Sequence, residues 1–320
     1  MRALVAGGAG FIGSHLCDRL IADGLEVVCV DNLITGNFNN LDKIKNSPLF
    51  KFFKADVSAP IDPEIIPDGV DLIFHLASPA SPNPRSPLSY LNHPFETLSV
   101  NSIGTRNLLY LAQMYHAKFL FASTSEIYGD PKISPQKEDY WGNVNPNGLR
   151  SCYDEAKRFG EALTMAYYRK FKTDVRIVRI FNTYGPKMDK RDGRVIVNFI
   201  NQALENKPIT IYGQGSQTRS FCYISDLIEQ LNLAMFDPKT TGEVFNLGND
   251  HEFTIKRLAD LIITLTDSQS KIIYEDLPED DPTNRCPNLK KLENVLNYFL
   301  HVSLRDGLLK TIAYFRSGIV

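Results

Sequence analysis

The sequence predicts an α/β protein with a doubly wound parallel sheet and a smaller α/β domain after it. Six short apolar strands alternate with helix patterns over residues 1–183, which is typical of parallel sheets. A glycine-rich turn joins the first strand to the first helix. From residue 184 to residue 320, short strands and helices follow in mixed order. We therefore expect one domain over 1–183, with a return to its sheet near 220–250, and a second domain over 184–320.

Composition excludes several classes of partner. The 320 residues carry a formal net charge of −2, so we expect neither nucleic acid nor an anionic membrane as a partner. Five scattered cysteines without a CxxC pair indicate a reducing compartment, and we expect no metal site. The chain has no signal-peptide pattern and no apolar run near the roughly 18 residues of a membrane helix. These features predict a cytoplasmic protein.

The first strand, turn, helix and second strand match a dinucleotide-binding Rossmann unit. Gly7 permits the tight turn, Gly10 allows close approach of a pyrophosphate, and Gly13 lets the helix pack on the sheet. Asp31 ends the second strand, about twenty residues after the glycines. Its carboxylate can accept hydrogen bonds from both adenosine ribose hydroxyls and would repel a 2′-phosphate. The cofactor is therefore predicted to be NAD rather than NADP.

Further cofactor contacts are expected in the loop after Asp31 and at the carboxyl ends of the next strands, because open α/β sheets bind ligands there. Asp56 is a candidate partner of the adenine amino group, although a turn residue would look the same. The other candidates are Phe11, Ile12, Asn32, Thr35, Gly36, Val57, Leu76, Ala77 and Ser78.

Tyr153 and Lys157 lie four residues apart and share one face of a predicted helix. A free tyrosine titrates near pH ~10, but a nearby ammonium group and a positively charged nicotinamide would favour the phenolate. The pair could then remove a proton from a hydroxyl group while NAD accepts a hydride. Taken alone, a surface YxxxK pattern would be the simpler interpretation.

Other segments suggest a site for an anion. Five prolines between residues 79 and 94 predict a stiff loop over the site. In the second domain, Arg194, Arg219 and Arg285 could bind a nucleotide diphosphate. Taken alone, each would be read more simply as a surface ion-pair partner, and the polar glycine-containing turn before Arg219 strengthens the case for binding at that residue. Asn101, within a predicted helix over residues 95–116, could hold the catalytic strand or serve only its own helix.

These residues together resemble the extended short-chain dehydrogenases/reductases that act on nucleotide sugars, and among them the UDP-glucuronic acid decarboxylases. The resemblance covers nearly the whole chain. The matching segments are GGAGFIGSHL from Gly7, HLASPASP from His75, ASTSEIYGDP from Ala122, EDYWGNVNPNG from Glu138, CYDEAKR from Cys152, RIFNTYGP from Arg179, DGRVIVNFI from Asp192 and YGQGSQTRSFCY from Tyr212.

The resemblance implies a carboxy-lyase reaction with NAD regenerated in each cycle. Tyr153, assisted by Lys157, would remove the C4 hydroxyl proton of UDP-glucuronic acid while NAD takes the C4 hydride. The resulting β-keto acid would lose carbon dioxide, and return of the hydride would give UDP-xylose. Thr124 would hydrogen-bond the C4 oxygen, and Glu126 would sit near C5 and C6. Arg285 would be the cation near the carboxylate or the proton donor.

The resemblance also implies a substrate site in the second domain. Asn182, Arg194 and Arg219 would hold the nucleotide sugar, and Thr183 would touch the cofactor. The remaining substrate contacts expected from the matching segments are Ser125, Asn198, Tyr212 and Gln217. The domain over 1–183 would bind NAD, the domain over 184–320 would bind the nucleotide sugar, and two copies would pair through the helix near residue 95 and the Tyr153 helix to form a homodimer.

Three alternative functions belong to similar proteins. A 4,6-dehydratase acting on dTDP-glucose needs an Asp-Glu pair after the threonine, whereas this chain has Ser125 there. A 4-epimerase usually lacks the glutamate, so Glu126 argues against it. A non-catalytic NAD sensor would tend to lose the Tyr153/Lys157 pair.

Two departures from the decarboxylases concern the substrate. Ser99 stands where they carry a lysine, and the loop over residues 82–93 is longer than expected. We hypothesise that Arg85 in this loop supplies the positive charge that the lysine would provide.

Overall fold

The structure is a computed structural model of the 320-residue chain and describes residues 1–61, 65–66, 68–276 and 284–318. Extended segments recur along this part of the chain. They are β1 (Arg2–Ala6), β2 (Glu26–Asp31), β3 (Phe50–Lys54), β4 (Leu72–His75), β5 (Lys118–Thr124), β6 (Val175–Ile180), β7 (Thr183–Tyr184), β8 (Ile209–Tyr212), β9 (Thr218–Ser220), β10 (Cys222–Tyr223), β11 (Val244–Leu247), β12 (Glu252–Thr254), β13 (Ile272–Glu275) and β14 (Asn284–Arg285).

Helices alternate with the first strands and dominate the end of the chain. They are α1 (Phe11–Ala22), α2 (Pro94–Ser99), α3 (Thr105–Tyr115), α4 (Ser151–Phe171), α5 (Val195–Leu204), α6 (Ile224–Phe236), α7 (Ile255–Thr266), α8 (Lys290–Leu296) and α9 (Leu304–Arg316). A short 3₁₀ turn, Ser125–Tyr128, follows β5 directly.

The central sheet has seven strands in the order β11-β6-β5-β4-β1-β2-β3, and every neighbouring pair is parallel. On one side of β1 the sheet continues through β2 and β3. On the other side it continues through β4, β5, β6 and β11. The strand order therefore reverses between β1 and β4, where loops leave a crevice at the carboxyl ends of the strands. The predicted doubly wound parallel sheet is confirmed.

Alternate side chains of the central strands enter hydrophobic clusters on the two faces of the sheet. Phe74 and Leu120 belong to the cluster covered by α1 and α6, whereas Ile73 and Phe119 belong to the cluster covered by α3 and α4. This division follows from the period of two in a strand. Because both faces are covered, β4 is buried along its whole length.

The second part of the chain forms small sheets beside the carboxyl edge of the central one. Strands β8 and β13 pair in parallel, and β9 lies between β12 and β14. Where β9 pairs with β14, Arg219 is directly opposite Arg285. The chain also returns to the central sheet, where Val244–Leu247 pairs with β6, within the segment predicted for such a return.

The predicted continuous helix over residues 95–116 is wrong in one respect. Five residues, Val100–Gly104, form a π-helical turn between α2 and α3. The ring nitrogen Nε2 of His75 lies 3.2 Å from the carbonyl oxygen of Val100, and the hydroxyl of Thr105 donates to the carbonyl of Asn101 at 2.8 Å. In a regular helix these two carbonyl groups would accept backbone hydrogen bonds of the helix itself. The spacing of apolar residues in the sequence does not reveal such contacts.

Within the described residues, no helix has both the length and the apolar character needed to cross a lipid bilayer.

Helix α4 approaches β5 closely at Gly160. A methyl group at this position would lie 2.2 Å from Cζ of Phe121, which is fully buried. A glycine-to-alanine change inside a helix is ordinarily stabilising by about 1 kcal/mol. Here the sign should reverse, because the added methyl has no space.

We expect Gly160→Ala to lower the free energy of unfolding by about 1–3 kcal/mol. Urea denaturation monitored by circular dichroism measures this change. Ala162→Ser on the exposed face of the same helix is the control and should change the free energy little. A Gly160→Ala protein as stable as the wild type would contradict the close packing.

Candidate active site

A cleft of about 2070 Å³ lies over the carboxyl ends of the central strands, between them and the second part of the chain. A smaller cavity of about 70 Å³ lies next to it, beside Asp31 and Asp56. Gly7 and Leu76 line both spaces, so the two are continuous. This is the crevice that the strand order predicts.

The glycine turn and Asp31 have the geometry of a dinucleotide site. Gly7 has a φ of +82°, and a methyl group there would lie 2.6 Å from the backbone nitrogen of Ala77. The Asp31 carboxylate accepts hydrogen bonds from the amides of Ala9 (2.9 Å) and Leu33 (2.8 Å). Burial raises the pKa of Asp31, and these two amides oppose that rise. The turn and the carboxylate therefore fit the pyrophosphate and adenosine ribose of NAD.

The residues predicted to contact the cofactor all line the two connected spaces. They are Gly7, Gly10, Phe11, Ile12, Gly13, Asp31, Asn32, Thr35, Gly36, Asp56, Val57, Leu76, Ala77, Ser78, Tyr153, Lys157 and Thr183. The fold thus brings together residues at the carboxyl ends of five central strands, β1, β2, β3, β4 and β6, and residues of α4, while their individual contacts with NAD stay predictions.

Tyr153 and Lys157 project from the first turns of α4 into the cleft. The Lys157 ammonium donates a hydrogen bond to the carbonyl of Ala122 at 2.7 Å, and its nitrogen is 5.8 Å from the centre of the Tyr153 ring. Burial lowers the pKa of Lys157 to about 7. Burial also raises the pKa of Tyr153, although its hydrogen bond with the Thr124 hydroxyl works in the opposite direction.

From the sequence, Lys157 is predicted to favour the Tyr153 phenolate. In the protein alone, burial of the tyrosine outweighs this influence. The negative charges of Glu126 and Asp154 add to the effect of burial on the pKa of Tyr153. A lower pKa of Tyr153 therefore requires further positive charge in the cleft.

Glu126 is held by two arginines beside this pair. Its carboxylate forms ion pairs with Arg150 through one oxygen and with Arg285 through the other. Burial alone would raise the pKa of Glu126, but the charges of Arg150, Arg285 and Arg219 outweigh it and hold this pKa below its ordinary value. Thr124 fixes the start of the turn, because its hydroxyl accepts a hydrogen bond from the Glu126 amide at 3.2 Å.

Arg285 lines the cleft and has one buried side-chain donor without a hydrogen-bond partner among the described residues. Its side chain is 6% exposed, and its Nη2 atom has no hydrogen-bond partner within the described residues. Burying an unsatisfied charged donor is costly, so this atom is suited to bind an anionic group of a ligand. The preceding residues 280–283, which belong to the same predicted motif, lie outside the described part of the chain.

The proline-rich loop lies across the cleft and is attached to the segment that carries Arg194. Hydroxyl groups of Ser81 and Ser86 donate to backbone carbonyls of Asp192 and Arg191. Arg85 lies at the mouth of the cleft, is 77% exposed, and has its Nη1 atom 3.9 Å from a carboxylate oxygen of Glu275. Glu275 therefore partly neutralises the positive charge that we hypothesise Arg85 to supply.

The residues predicted to bind substrate also line the larger cleft. They are Arg85, Ser125, Asn182, Arg194, Asn198, Tyr212, Gln217, Arg219 and Arg285. Several are oriented by hydrogen bonds. Arg194 forms a two-point ion pair with Asp192 (2.5 and 2.7 Å), and Asn198 donates to the carbonyl of Gly193 at 2.7 Å.

Sequence reasoning missed three residues around Tyr153. Arg150 precedes Tyr153 by three positions, one turn along the chain, and this spacing could have identified it. Tyr90 stacks on the Tyr153 ring with centroids 4.7 Å apart and planes 4° apart, a contact between distant segments that no local pattern reveals. For Asp154, burial and the negative charge of Glu126 raise the pKa to about 8.

Asn101 does not hold the catalytic strand. Its Nδ2 atom donates to the Ser78 hydroxyl and to the Thr97 carbonyl, both at 2.9 Å. It therefore connects the helix to the loop after β4, and it serves its own helix as the simpler interpretation expected. Among the described residues, no group of three His, Cys, Asp or Glu side chains is placed to hold a metal ion.

A family comparison matches the features assembled above. Residues 3–248 match the family described as the NAD dependent epimerase/dehydratase family. The chain belongs to this family. The predicted cofactor, NAD, is thereby confirmed, as is the predicted membership of the extended short-chain dehydrogenases/reductases.

Curated relatives cover the full chain. It is 47% identical over 320 residues to UDP-glucuronic acid decarboxylase 1 of Arabidopsis thaliana, covering 100% of this chain and 71% of the relative. It is also 47% identical over 314 residues to UDP-glucuronic acid decarboxylase 1 of Danio rerio, covering 98% of this chain and 72% of that protein. The resemblance predicted from the sequence is confirmed.

Solved structures share the fold. A UDP-glucose 4-epimerase from Thermotoga maritima, solved with UDP-glucose, has a TM-score of 0.89 at 29% identity and covers 100% of both chains. A UDP-glucuronic acid 4-epimerase from Bacillus cereus, solved with NAD and a fluorinated UDP-glucuronic acid, has a TM-score of 0.87 at 29% identity and covers 99% of both chains.

Replacing Arg150 by methionine should raise the pKa of Glu126 by about one pH unit or more, because one of the cations that favour its charged form is removed. A carbon-13 NMR titration of carboxyl-labelled glutamate measures this pKa, with the Glu126 signal assigned from Glu126→Gln. Arg169→Met, in the last turn of α4, is the control and should leave the titration unchanged. An unchanged pKa in Arg150→Met would contradict the assigned ion pair.

Proposed function

We propose that this protein converts UDP-glucuronic acid to UDP-xylose and carbon dioxide, with NAD regenerated in each cycle. One observation carries the proposal: the Arg285 side chain, buried at the cleft, offers a donor without a partner beside Tyr153, Thr124 and Glu126. A sugar with a carboxylate at C6 provides the anion that this donor lacks. The curated relatives named UDP-glucuronic acid decarboxylases support the same substrate.

In the first step, Tyr153 would accept the proton of the C4 hydroxyl, with Thr124 hydrogen-bonded to the same oxygen. When bound, NAD supplies the acceptance of a hydride from C4 of the sugar and the later return of that hydride. The positive charge of the nicotinamide would add to that of Lys157 and so lower the pKa that burial raises in Tyr153. The glycine turn and Asp31 would hold the two ends of the dinucleotide.

The oxidised sugar is a β-keto acid, because its C4 carbonyl is two bonds from the carboxylate carbon. The bond between C5 and C6 would break, carbon dioxide would leave, and the bonding electrons would pass to the C4 oxygen as an enolate. Thr124 would stabilise this oxygen, and Arg285 would hold the departing carboxylate. C5 would then take a proton from solvent by way of Arg285 or a water held by Glu126. The hydride would return to C4, and Tyr153 would return its proton to the C4 oxygen.

Two other reactions start with the same oxidation. A 4,6-dehydratase must protonate a leaving hydroxyl at C6, and Ser125, which follows Thr124, is a poor general acid. A 4-epimerase acting on UDP-glucuronic acid would bind the same carboxylate, so Arg285 does not distinguish it. Glu126 and the 47% identity to decarboxylases favour decarboxylation over epimerisation.

The two parts of the chain would divide the ligands between them. We infer that the domain over 1–183, with the strand returned from the segment 220–250, holds NAD. The domain over 184–320 would hold the nucleotide through Asn198, Tyr212, Gln217 and its arginines, together with Asn182 and the loop that carries Arg85. We place the protein in the cytoplasm, where NAD and nucleotide sugars are available to it.

We also propose a homodimer formed by α2, α3 and α4. Phe95, Tyr110 and Phe159 are 78%, 60% and 52% exposed on these adjacent helices, together with Leu98 and Met114. Monomeric proteins rarely expose so many large apolar side chains in one region. Pairing of the same helices from two copies would bury them around a two-fold axis.

Proton NMR of the purified protein with UDP-glucuronic acid and catalytic NAD tests the activity. We expect UDP-xylose to form without accumulation of NADH, and Tyr153→Phe to abolish the reaction. UDP-galacturonic acid as the product would indicate an epimerase instead. A 4-keto-6-deoxy sugar formed from dTDP-glucose, without turnover of UDP-glucuronic acid, would refute the proposal in favour of a dehydratase.

Sedimentation equilibrium tests the dimer. The wild type should sediment as a dimer, and the double variant Phe95→Glu/Phe159→Glu should be at least tenfold weaker in association, because it introduces charges into an apolar interface. Phe299→Glu is the matched control, since Phe299 is 63% exposed but lies outside these helices. A wild-type monomer at micromolar concentration would rule out the interface.

A further inference from the structure

A buried ion pair lies behind the catalytic residues without lining the cleft. Arg179 of β6 donates from Nε and Nη2 to the two carboxylate oxygens of Glu161 in α4, at 2.9 and 2.8 Å. The two side chains are only 10% and 13% exposed. A two-point arginine–carboxylate contact is among the strongest and most directional polar contacts in proteins. Nothing in the reaction described above uses this pair.

The pair fixes the end of β5 from both sides. The Ser123 hydroxyl donates to Glu161 at 2.6 Å, and Arg179 donates from Nη1 to the Tyr128 hydroxyl at 2.8 Å. Ser123 immediately precedes Thr124, and Tyr128 ends the 3₁₀ turn that carries Glu126. The segment with two proposed catalytic side chains is therefore held at each end by one ion pair.

The pair also faces the catalytic lysine. Tyr153, Lys157 and Glu161 follow at intervals of four residues, so they share one face of α4. The Glu161 charge opposes the effect of burial on the pKa of Lys157. The other groups around the ammonium are the Ala122 carbonyl of β5, the Phe121 ring and the Tyr153 ring.

His75 of β4 is the remaining titratable group near Lys157. Burial lowers the pKa of His75 to about 3, so this ring is neutral across the working pH range. Among the described residues, Glu161 is therefore the acidic group that acts on the Lys157 charge, and Arg179 partly neutralises that acid.

We propose that Glu161 and Arg179 are positioning residues for proton transfer by Tyr153. Glu161 stabilises the charged form of Lys157, Arg179 limits that effect, and together they hold Thr124 and Glu126 in place. The inference rests on the proposed function for its catalytic meaning. The expected effect on the charge of Lys157 does not depend on the reaction, so it can be measured in the protein without substrate turnover.

The two partners should act on Lys157 in opposite directions. Glu161→Gln removes the opposing negative charge, so the pKa of Lys157 should fall by about one pH unit. Arg179→Met leaves Glu161 less neutralised, so the same pKa should rise. The double variant should lie between the two single variants. General loosening of the fold would move both single variants in the same direction.

Carbon-13 NMR of lysine labelled at Cε measures this pKa, with the Lys157 signal assigned from Lys157→Met. Arg176→Met is the matched control, because Arg176 is a second buried arginine of β6, paired with Asp174 at 2.9 Å at the other end of the strand. It should reduce stability and leave the pKa of Lys157 unchanged. Glu161→Asp keeps the charge and should restore most of the wild-type value.

The pH profile of UDP-xylose formation gives the second measurement. The alkaline limit of kcat should move to lower pH in Glu161→Gln and return toward the wild-type position in Glu161→Asp. Equal pKa values of Lys157 in Glu161→Gln, the double variant and the wild type would overturn the inference, even if Arg179→Met does not fold. Absence of wild-type turnover together with the expected pKa changes would instead refute the proposed function alone.

Discussion

The contact between α4 and β5 determines the geometry of the whole site. Gly160 lets the helix approach the Phe121 ring, and at this separation the Lys157 ammonium reaches the Ala122 carbonyl at 2.7 Å. Tyr153 and Lys157 project from this face of α4, and β5 ends in Thr124. The distance between α4 and β5 therefore sets the relative positions of Tyr153, Lys157 and the Thr124 hydroxyl. For this reason we expect packing changes a few residues away to affect the proposed chemistry.

Buried charge is arranged in two groups around the proposed base, Tyr153. Glu126 with Arg150 and Arg285 faces the cleft, and Glu161 with Arg179 lies behind it. Each carboxylate has a guanidinium partner, because an unpaired charge at this depth would be strongly destabilising. Lys157 has no such direct partner among the described residues. Its pKa of about 7 leaves it able to lose or keep a proton near neutral pH, where a proton-transfer site benefits most.

Much of this arrangement was predictable because its signals are local. The glycine turn, Asp31 and the Tyr153/Lys157 spacing each occupy one short segment, and apolar runs predict the first six strands of the central sheet. The interruption after α2 was not predictable, since it depends on contacts with His75 from another strand. Arg150 beside Glu126, Tyr90 on Tyr153 and Arg179 with Glu161 likewise join segments far apart in sequence. The spacing of apolar residues predicts helices and strands, whereas polar contacts between them become visible only in the folded structure.

The chemistry after oxidation would depend on very few side chains. Loss of carbon dioxide sends electrons into the C4 carbonyl, so the site needs a donor at that oxygen and a cation for the carboxylate, but no acid at C6. A dehydratase needs that acid, and neither Ser125 nor a Glu126 whose pKa is held low by arginines would serve as one. The arginines that bind an acidic sugar would thus also keep Glu126 ionised, so substrate charge and reaction type would be selected by the same cluster.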